Sequence, residues 1–402
     1  MTQSNSPKRH CMVVHAYYPY GETRVQRQAE ALVRHGYEVD IICLRNKADA
    51  AATELHNGVR ILRLPVRYNN YTRASGKFWE YLRFCLLAML KLIQLHSQRS
   101  YNSVQTHNLP DFLVFATWYP KLFGAQVILD LHDLMPEFYQ ARYGGDTTSR
   151  LARLVYWQEK LSCRFANHII TVSELWRQTL IKRGVPADKC SVVMNVADHT
   201  IFRPQDGGST APTDNSCLRL IYHGTLTYRY GIDLILKAVA QVRQQAPVHV
   251  TIHGGGEYFS EMVALAKELN LSEDNVFFST KNLALSDLPR LIRSAHVGLA
   301  PYRTDVFTDG IVPTKLMEYA ALGLPAIAAR TSAIQAYFAD TMVEFFIPGD
   351  ADDLARCILK LHQNRTRLAE LACGAEIFNQ RYNWEKLGNE YVTLIDRLSA
   401  RP

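Results

Sequence analysis

The chain has 402 residues, 48% hydrophobic and 21% charged, which is too long for one ordinary core and fits two globular domains of roughly 200 residues each. No stretch reaches the roughly 18 uninterrupted apolar residues that span a bilayer, and the polar segment 1–10 lacks the apolar run of a signal peptide, so a cytoplasmic protein is expected. Residues 1–200 carry 25 Lys+Arg against 16 Asp+Glu, or +9, leaving 45−25=20 against 38−16=22, or −2, for the rest. The basic half calls for an anionic partner: a phosphate-bearing substrate, an acidic membrane surface or nucleic acid. The eight cysteines form no Cys-x-x-Cys pair, and Cys11 and Cys43 lie on apolar runs and read as packing.

In chain order, the apolar run from Cys11 to Ala16 predicts a strand, followed by a loop and by Val25, Ala29, Leu32 and Val33 at helical spacing up to Gly36. Further strands are predicted at 39–44, 59–64, 103–106, 127–131 and 169–172, with a helix over 151–165. The polar stretch 205–216 reads as a linker and places a boundary near Pro204. Strands then resume at 218–222, 248–253, 276–279, 297–300 and 326–328, alternating with helices over 232–243, 260–269, 285–294 and 315–322. The expected organisation is a Rossmann-like domain over 1–203, a second over 204–384, and a C-terminal helix over 385–402 returning to the first. Ligands of such sheets bind beyond the carboxyl ends of the strands, and two lobes facing each other would enclose a cleft.

The stretch from Asp309 to Pro325 carries the clearest chemistry. Gly310 and Pro313 introduce a helix whose first amides, Thr314 to Leu316, lie at its positive end and suit a phosphate. Lys315 adds a full charge, and Glu318 offers two acceptors to a ribose diol. An ordinary helix with proline at its start is the plainer reading of these residues taken alone.

In order and spacing, the sequence resembles the retaining glycosyltransferases of family 4, of GT-B fold, from about residue 12 to 395. The resemblance rests on the Gly21 loop, Asp130-Leu-His132-Asp133, Thr171-Val-Ser173, Asn195-Val-Ala-Asp198 with Phe202-Arg-Pro204, His223-Gly224-Thr-Leu226, Gly254-Gly-Gly256 and the segment just described. It implies sugar transfer from a nucleotide-diphosphate donor to a hydroxyl of a glycan or lipid-linked glycan. It also implies that the nucleotide sugar is a substrate and that neither cofactor nor divalent metal is needed. The sequence is read as lacking an Asp-x-Asp metal motif. The implied donor-binding residues are Gly21, Gly224, Thr225, Gly254, Gly256, Pro313, Thr314, Leu316 and Glu318, with His132 contacting the sugar.

Two departures from the pattern matter. The first glutamate of the family's Glu-x7-Glu motif falls at Gly310, with Asp309 as a neighbouring substitute. Thr225 and Tyr230 stand where the family has a diphosphate-binding arginine and lysine, so Arg229 and Lys315 are expected to supply the missing charge. Competing readings are a sugar-nucleotide epimerase on the same fold and a weakly active subunit that binds nucleotide for a partner. A dehydrogenase is disfavoured because neither half has an intact Gly-x-Gly-x-x-Gly.

The acceptor side is less defined. Arg60, Arg63, Arg67 and Arg73 with Tyr68 and Tyr71 precede a helix whose Phe78, Trp79, Leu82, Leu86, Met89, Leu90 and Ile93 cover more than one face. Core packing and a grip on a lipid-linked acceptor or acidic membrane, with the protein peripheral on the membrane's inner face, both remain open. Nucleic acid is not an expected partner, since no reading motif accompanies the charge.

Overall fold

A computed structural model describes residues 7–19, 22–46, 51–68, 74–143, 149–203, 216–281 and 283–400. Gly21, Tyr71, Arg73 and nearly all of the 205–216 linker lie outside the described residues. Two compact units form, one from 1–195 with 385–402 and one from 196–384. The division at Asn195 falls earlier than the Pro204 boundary expected from composition.

The first unit holds an eight-stranded sheet in the order β3-β4-β2-β1-β5-β6-β7-β8. Its strands are β1 (Arg9–Val14), β2 (Glu38–Leu44), β3 (Thr53–His56), β4 (Val59–Leu64), β5 (Ser103–His107), β6 (Gln126–Leu131), β7 (His168–Thr171) and β8 (Cys190–Val192). All pairs are parallel except β3 with β4, an edge hairpin that the all-parallel expectation missed. Near-continuous apolar runs such as Cys11 to Val14 fit strands covered on both faces. The exception inside β2 is buried Asp40, which Arg60 matches across the ladder by donating from Nε at 2.7 Å. Arg60 is therefore committed to the sheet, and Arg63 lies 2.7 Å from Glu54.

The helices of this unit are α1 (Thr23–Arg34), α2 (Ala74–Gln98), α3 (Trp118–Leu122), α4 (Met135–Tyr143), α5 (Arg150–Phe165) and α6 (Glu174–Lys182), with a 3-10 segment at Asp111–Thr117 before α3. Phe84, Ala88, Leu92 and Leu95 of α2 pack with Leu113 onto Val13, Ile42 and Val104 of the sheet.

The second unit has a six-stranded parallel sheet in the order β11-β10-β9-β12-β13-β14. It consists of β9 (Leu218–His223), β10 (Val248–His253), β11 (Val276–Ser279), β12 (Val297–Ala300), β13 (Ala326–Ala329) and β14 (Glu344–Phe346). Its helices are α7 (Ile232–Val242), α8 (Phe259–Glu268), α9 (Leu288–Arg293), α10 (Thr314–Ala321), α11 (Ser332–Tyr337), α12 (Ala351–Gln363) and α13 (Arg365–Arg381). Gly298 in β12 leaves room for the buried ring of Tyr319, since a Cβ there would come within 2.4 Å of it. The remaining helix, α14 (Trp384–Ser399), belongs to the first unit, where the Tyr391 hydroxyl donates to Gln105 Oε1 at 2.8 Å.

Both sheets reverse their strand order once, between β1 and β5 and between β9 and β12. Neighbouring loops diverge at such a point and leave space for a ligand.

Candidate functional site

In the second unit, the reversal point gathers most of the residues singled out in the sequence. β9 ends at His223, and Gly224 (φ +115) and Gly254 (φ +137) follow their strands in a conformation that suits glycine. A Cβ on Gly254 would lie 2.0 Å from the Gly224 carbonyl oxygen, and one on Gly256 would lie 2.2 Å from that of Leu226. The loops after β9 and β10 thus run backbone against backbone. Thr225 is exposed, and its carbonyl accepts from the Tyr222 hydroxyl at 2.7 Å.

Helix α10 starts beside this loop. Pro313 is its N-cap and contributes no side-chain acceptor, while the Leu316 amide donates to the Pro313 carbonyl at 3.0 Å. The amide cradle read from the sequence therefore narrows to Thr314 and Lys315.

Lys315 is buried, yet its ammonium lies only 3.7 Å from where a Gly224 Cβ would stand. Its Nζ donates to the Tyr302 hydroxyl at 3.0 Å and faces the rings of Tyr222, Tyr302 and Tyr230 at 4.7, 4.7 and 5.1 Å. Tyr230 and Tyr302 stack 4.4 Å apart. Burial lowers the Lys315 ammonium to about 7, against the opposing pull of Glu318. Glu318 Oε2 lies 3.3 Å from His223 Nε2 without hydrogen-bond alignment. Burial and then Lys315 push His223 down to about 3, so its ring is neutral at pH 7.

The other expected residues of this unit are placed differently. Asp309 Oδ1 accepts from the Ser332 amide at 2.8 Å, at the start of α11. Arg229 is half-buried with its guanidinium 5.6 Å from the Phe307 ring. Arg303, which the sequence reading passed over, forks onto Asp233 at 2.7 Å through both Nη atoms and fixes the loop after β12.

In the first unit, His132 follows β6. The β5–β6 register sets His107 opposite Asp130, two residues before His132. His107 Nδ1 lies 3.1 Å from His132 Nε2 and 3.3 Å from Asp130 Oδ2. Arg24 donates to both oxygens of Asp130, at 3.1 and 2.8 Å, and Gln28 and Gln105 donate to Oδ2 at 3.1 and 3.2 Å. Burial opposes the Asp130 charge, but Arg24 and the two imidazoles hold its carboxyl well below the usual range. Burial lowers His107 to about 4, so it is neutral. Gln105 Nε2 approaches His107 Nε2 at 3.4 Å. Of the two rings, His132 is partly exposed and His107 fully buried, so His132 is the one open to a ligand. His107 and Arg24 are not legible from local sequence, because only strand register and helix packing bring them to Asp130. Burial raises the Asp133 carboxyl, with His132 pulling against it.

Ligand atoms of His107, Asp130 and His132 lie within 4.8 Å of one another, the one such group among the described residues. Asp130 is already saturated by donors, and the Arg24 charge beside it opposes a dication. A literal Asp-x-Asp does occur, at Asp350-Ala351-Asp352, contrary to the sequence reading. There Asp350 caps α12 by accepting from the Asp352 and Asp353 amides, which is a structural use.

Two doubly wound units, each with a polar cluster at the reversal of its sheet, are those of the GT-B fold, which glycosyltransferases share. The chain matches the family "Glycosyl transferase 4-like domain" over residues 21–195 and "Glycosyl transferases group 1" over 217–364, and carries both domains of that class. The amylovoran biosynthesis glycosyltransferase AmsK of Erwinia amylovora is 25% identical over 240 residues, which are 58% of this chain and 56% of that protein. The chain thus spans little more than half the length of that relative. Sucrose-phosphate synthase of Thermosynechococcus elongatus has the same fold, with a TM-score of 0.78 and 20% identity over 98% of this chain and 99% of that one. The Anabaena protein HepE, solved in complex with UDP, has a TM-score of 0.71 and 16% identity over 97% and 100% of the two chains.

Proposed function

We propose that the chain transfers a sugar, a hexose or a relative of one, from a nucleotide-diphosphate donor to a hydroxyl of a glycan or lipid-linked glycan. The transfer retains anomeric configuration and requires no divalent metal. The observation that carries this reading is Lys315, whose ammonium lies beside Tyr230, the residue standing where the resembled family has its diphosphate-binding lysine. The charge lost from the β9 loop is returned from α10. Glu318, one turn on, serves the ribose, and Arg229 and the Thr314 and Lys315 amides serve the phosphates. Asp309, held at α11, is the weakest of the proposed contacts to the donor sugar, and His132 is the residue that the family resemblance assigns to that sugar. The relative in amylovoran biosynthesis and the UDP complex of HepE support the acceptor and donor classes.

In the proposed step, the acceptor oxygen bonds to the anomeric carbon on the face of the departing diphosphate. The carbon–oxygen bond to phosphate breaks with its electron pair, and the hydroxyl proton passes to the leaving phosphate. No protein base is needed, and fixed cations stabilise the charge that develops on the diphosphate.

The test is thermal stabilisation by a panel of uridine, guanosine, adenosine and thymidine diphosphate sugars, followed by transfer to glycan acceptors with and without EDTA. One donor should stabilise the protein and yield an α- or β-product matching its own anomer, undiminished by EDTA. An altered sugar nucleotide without transfer would identify an epimerase, and loss of transfer in EDTA would overturn the metal-free reading.

A further inference from the structure

The helices on one face of the first unit's sheet share an unusual exterior. α2, the Asp111–Thr117 segment with α3, and α5 lie side by side. Phe78 of α2 packs against Phe112 at 6.1 Å and Ser97 of α2 meets the Tyr119 hydroxyl of α3 at 3.0 Å. Phe115 packs against Phe165 of α5 at 5.1 Å. Their inward faces form the core already described. Outward, each helix presents a tryptophan: Trp79 is 67% exposed, Trp118 44% and Trp157 59%. Leu86, Leu122 and Leu154 are exposed beside them, one on each helix. Burial of such side chains is the main driving force of folding, so three neighbouring helices that leave them outside have an apolar exterior awaiting a partner.

The charges on this exterior have one sign. Arg83 of α2 and Arg150, Arg153, Lys160 and Arg164 of α5 are exposed. The acidic side chains of α2, the 3-10 segment and α5 are Glu80, Asp111 and Glu159, and all three are buried. Glu80 lies against Lys77 and His15, and Glu159 against Arg183. On α5, Leu151, Leu154 and Trp157 at helical spacing alternate with Arg150, Arg153 and Lys160, the pattern of a helix lying in a lipid interface. Tryptophan favours the headgroup level, where its ring is buried and its N–H stays wet. Two copies of this face would bring like charges together, which opposes self-association.

We propose that α2, α3 and α5 form a docking face for an anionic lipid bilayer, with the three tryptophans at headgroup depth and the arginines and lysines on lipid phosphates. The proposal does not depend on the donor assignment. It enlarges what the sequence shows, since α2 alone was flagged there and α3 and α5 join it only in the fold. Among the described residues no helix is long and apolar enough to cross a membrane, so docking is at the surface.

The test is co-sedimentation of the full chain with phosphatidylglycerol vesicles and with phosphatidylcholine vesicles, read together with tryptophan fluorescence. Binding to the anionic vesicles with a blue-shifted emission, weakened by salt, is expected. Arg150→Gln with Arg153→Gln should weaken it roughly five-fold per cation removed, and Trp157→Ala should reduce the blue shift. Both changes are on exposed helix positions and should leave the far-ultraviolet circular dichroism unchanged. Absence of binding to anionic vesicles, equal binding to both kinds, or a dimer in solution that the Trp157 variant dissolves would each overturn the proposal.

Discussion

At the scale of single residues, the second unit buries the Lys315 amine among three phenol rings. Lys315→Met should weaken uridine diphosphate, or whichever diphosphate the panel selects, by roughly ten- to a hundred-fold, the loss of a charged hydrogen bond of about 1.5–3 kcal/mol. Lys315→Arg should not restore it, because the buried site holds a compact ammonium and a guanidinium is larger and cannot give up its charge on burial. The pH dependence has a definite sign. Folded Lys315 titrates near 7 and an unfolded lysine near 10.5, so between these values the unfolded chain binds more protons. The contribution of this group to stability therefore rises as pH goes from 7 to 10.5, and thermal denaturation of Lys315→Met should lack that component. Diphosphate binding needs the charged amine, so calorimetric affinity should fall as pH rises above 7 in the wild type and stay flatter in the variant. In the first unit, Asp130→Asn leaves Arg24 buried without its counter-charge and should cost about 3–5 kcal/mol in urea denaturation. Little of this was legible beforehand. Pro313, Lys315 and Glu318 sit in one short segment and could be read together, whereas Tyr222 and Tyr230, on β9 and its loop, meet Tyr302 only through the pairing of β9 with β12.

At the scale of elements, the strands were readable where they are apolar on both faces, and unreadable where they are short or exposed. β3, Thr53–His56, has an exposed surface and no apolar alternation, and β8 and β14 are three residues each. The glycine loops read as donor-binding in the sequence, but their geometry shows a more immediate demand. Gly254→Ala would drive a Cβ into the Gly224 carbonyl at a positive φ, so the loop must shift. A loss of about 1–3 kcal/mol is expected, with weaker diphosphate binding, both measurable by thermal shift with and without ligand. Gly255→Ala meets nothing within 4 Å and should stay within roughly 0.5 kcal/mol of the wild type. A glycine kept only for phosphate approach would instead lose binding with stability intact. Helix α10 shows the same limit of sequence reading, since its start was placed within a residue, yet the bond from the Leu316 amide back to Pro313 was invisible.

At the scale of the whole molecule, the first unit is assembled from two pieces of chain separated by the second. α14 buries Leu387, Tyr391, Val392, Ile395 and Leu398, and the Asp396 carboxylate accepts from Tyr37 at 2.6 Å. A chain ending at Trp384 should retain the unfolding transition of the 196–384 unit in differential scanning calorimetry, while that of the first unit moves to lower temperature or disappears. A single unchanged transition would show that α14 adds nothing to its sheet. The same arrangement sets a schedule during synthesis. The strands of the first unit leave the ribosome before the second unit exists, yet the helix that covers Gln105 and Tyr37 emerges about 190 residues later, a wait of roughly 10–40 s. During that interval the second unit, made from one unbroken stretch, can complete its own fold, while the older half remains open along one side and depends on chaperones or on speed to avoid sticking there.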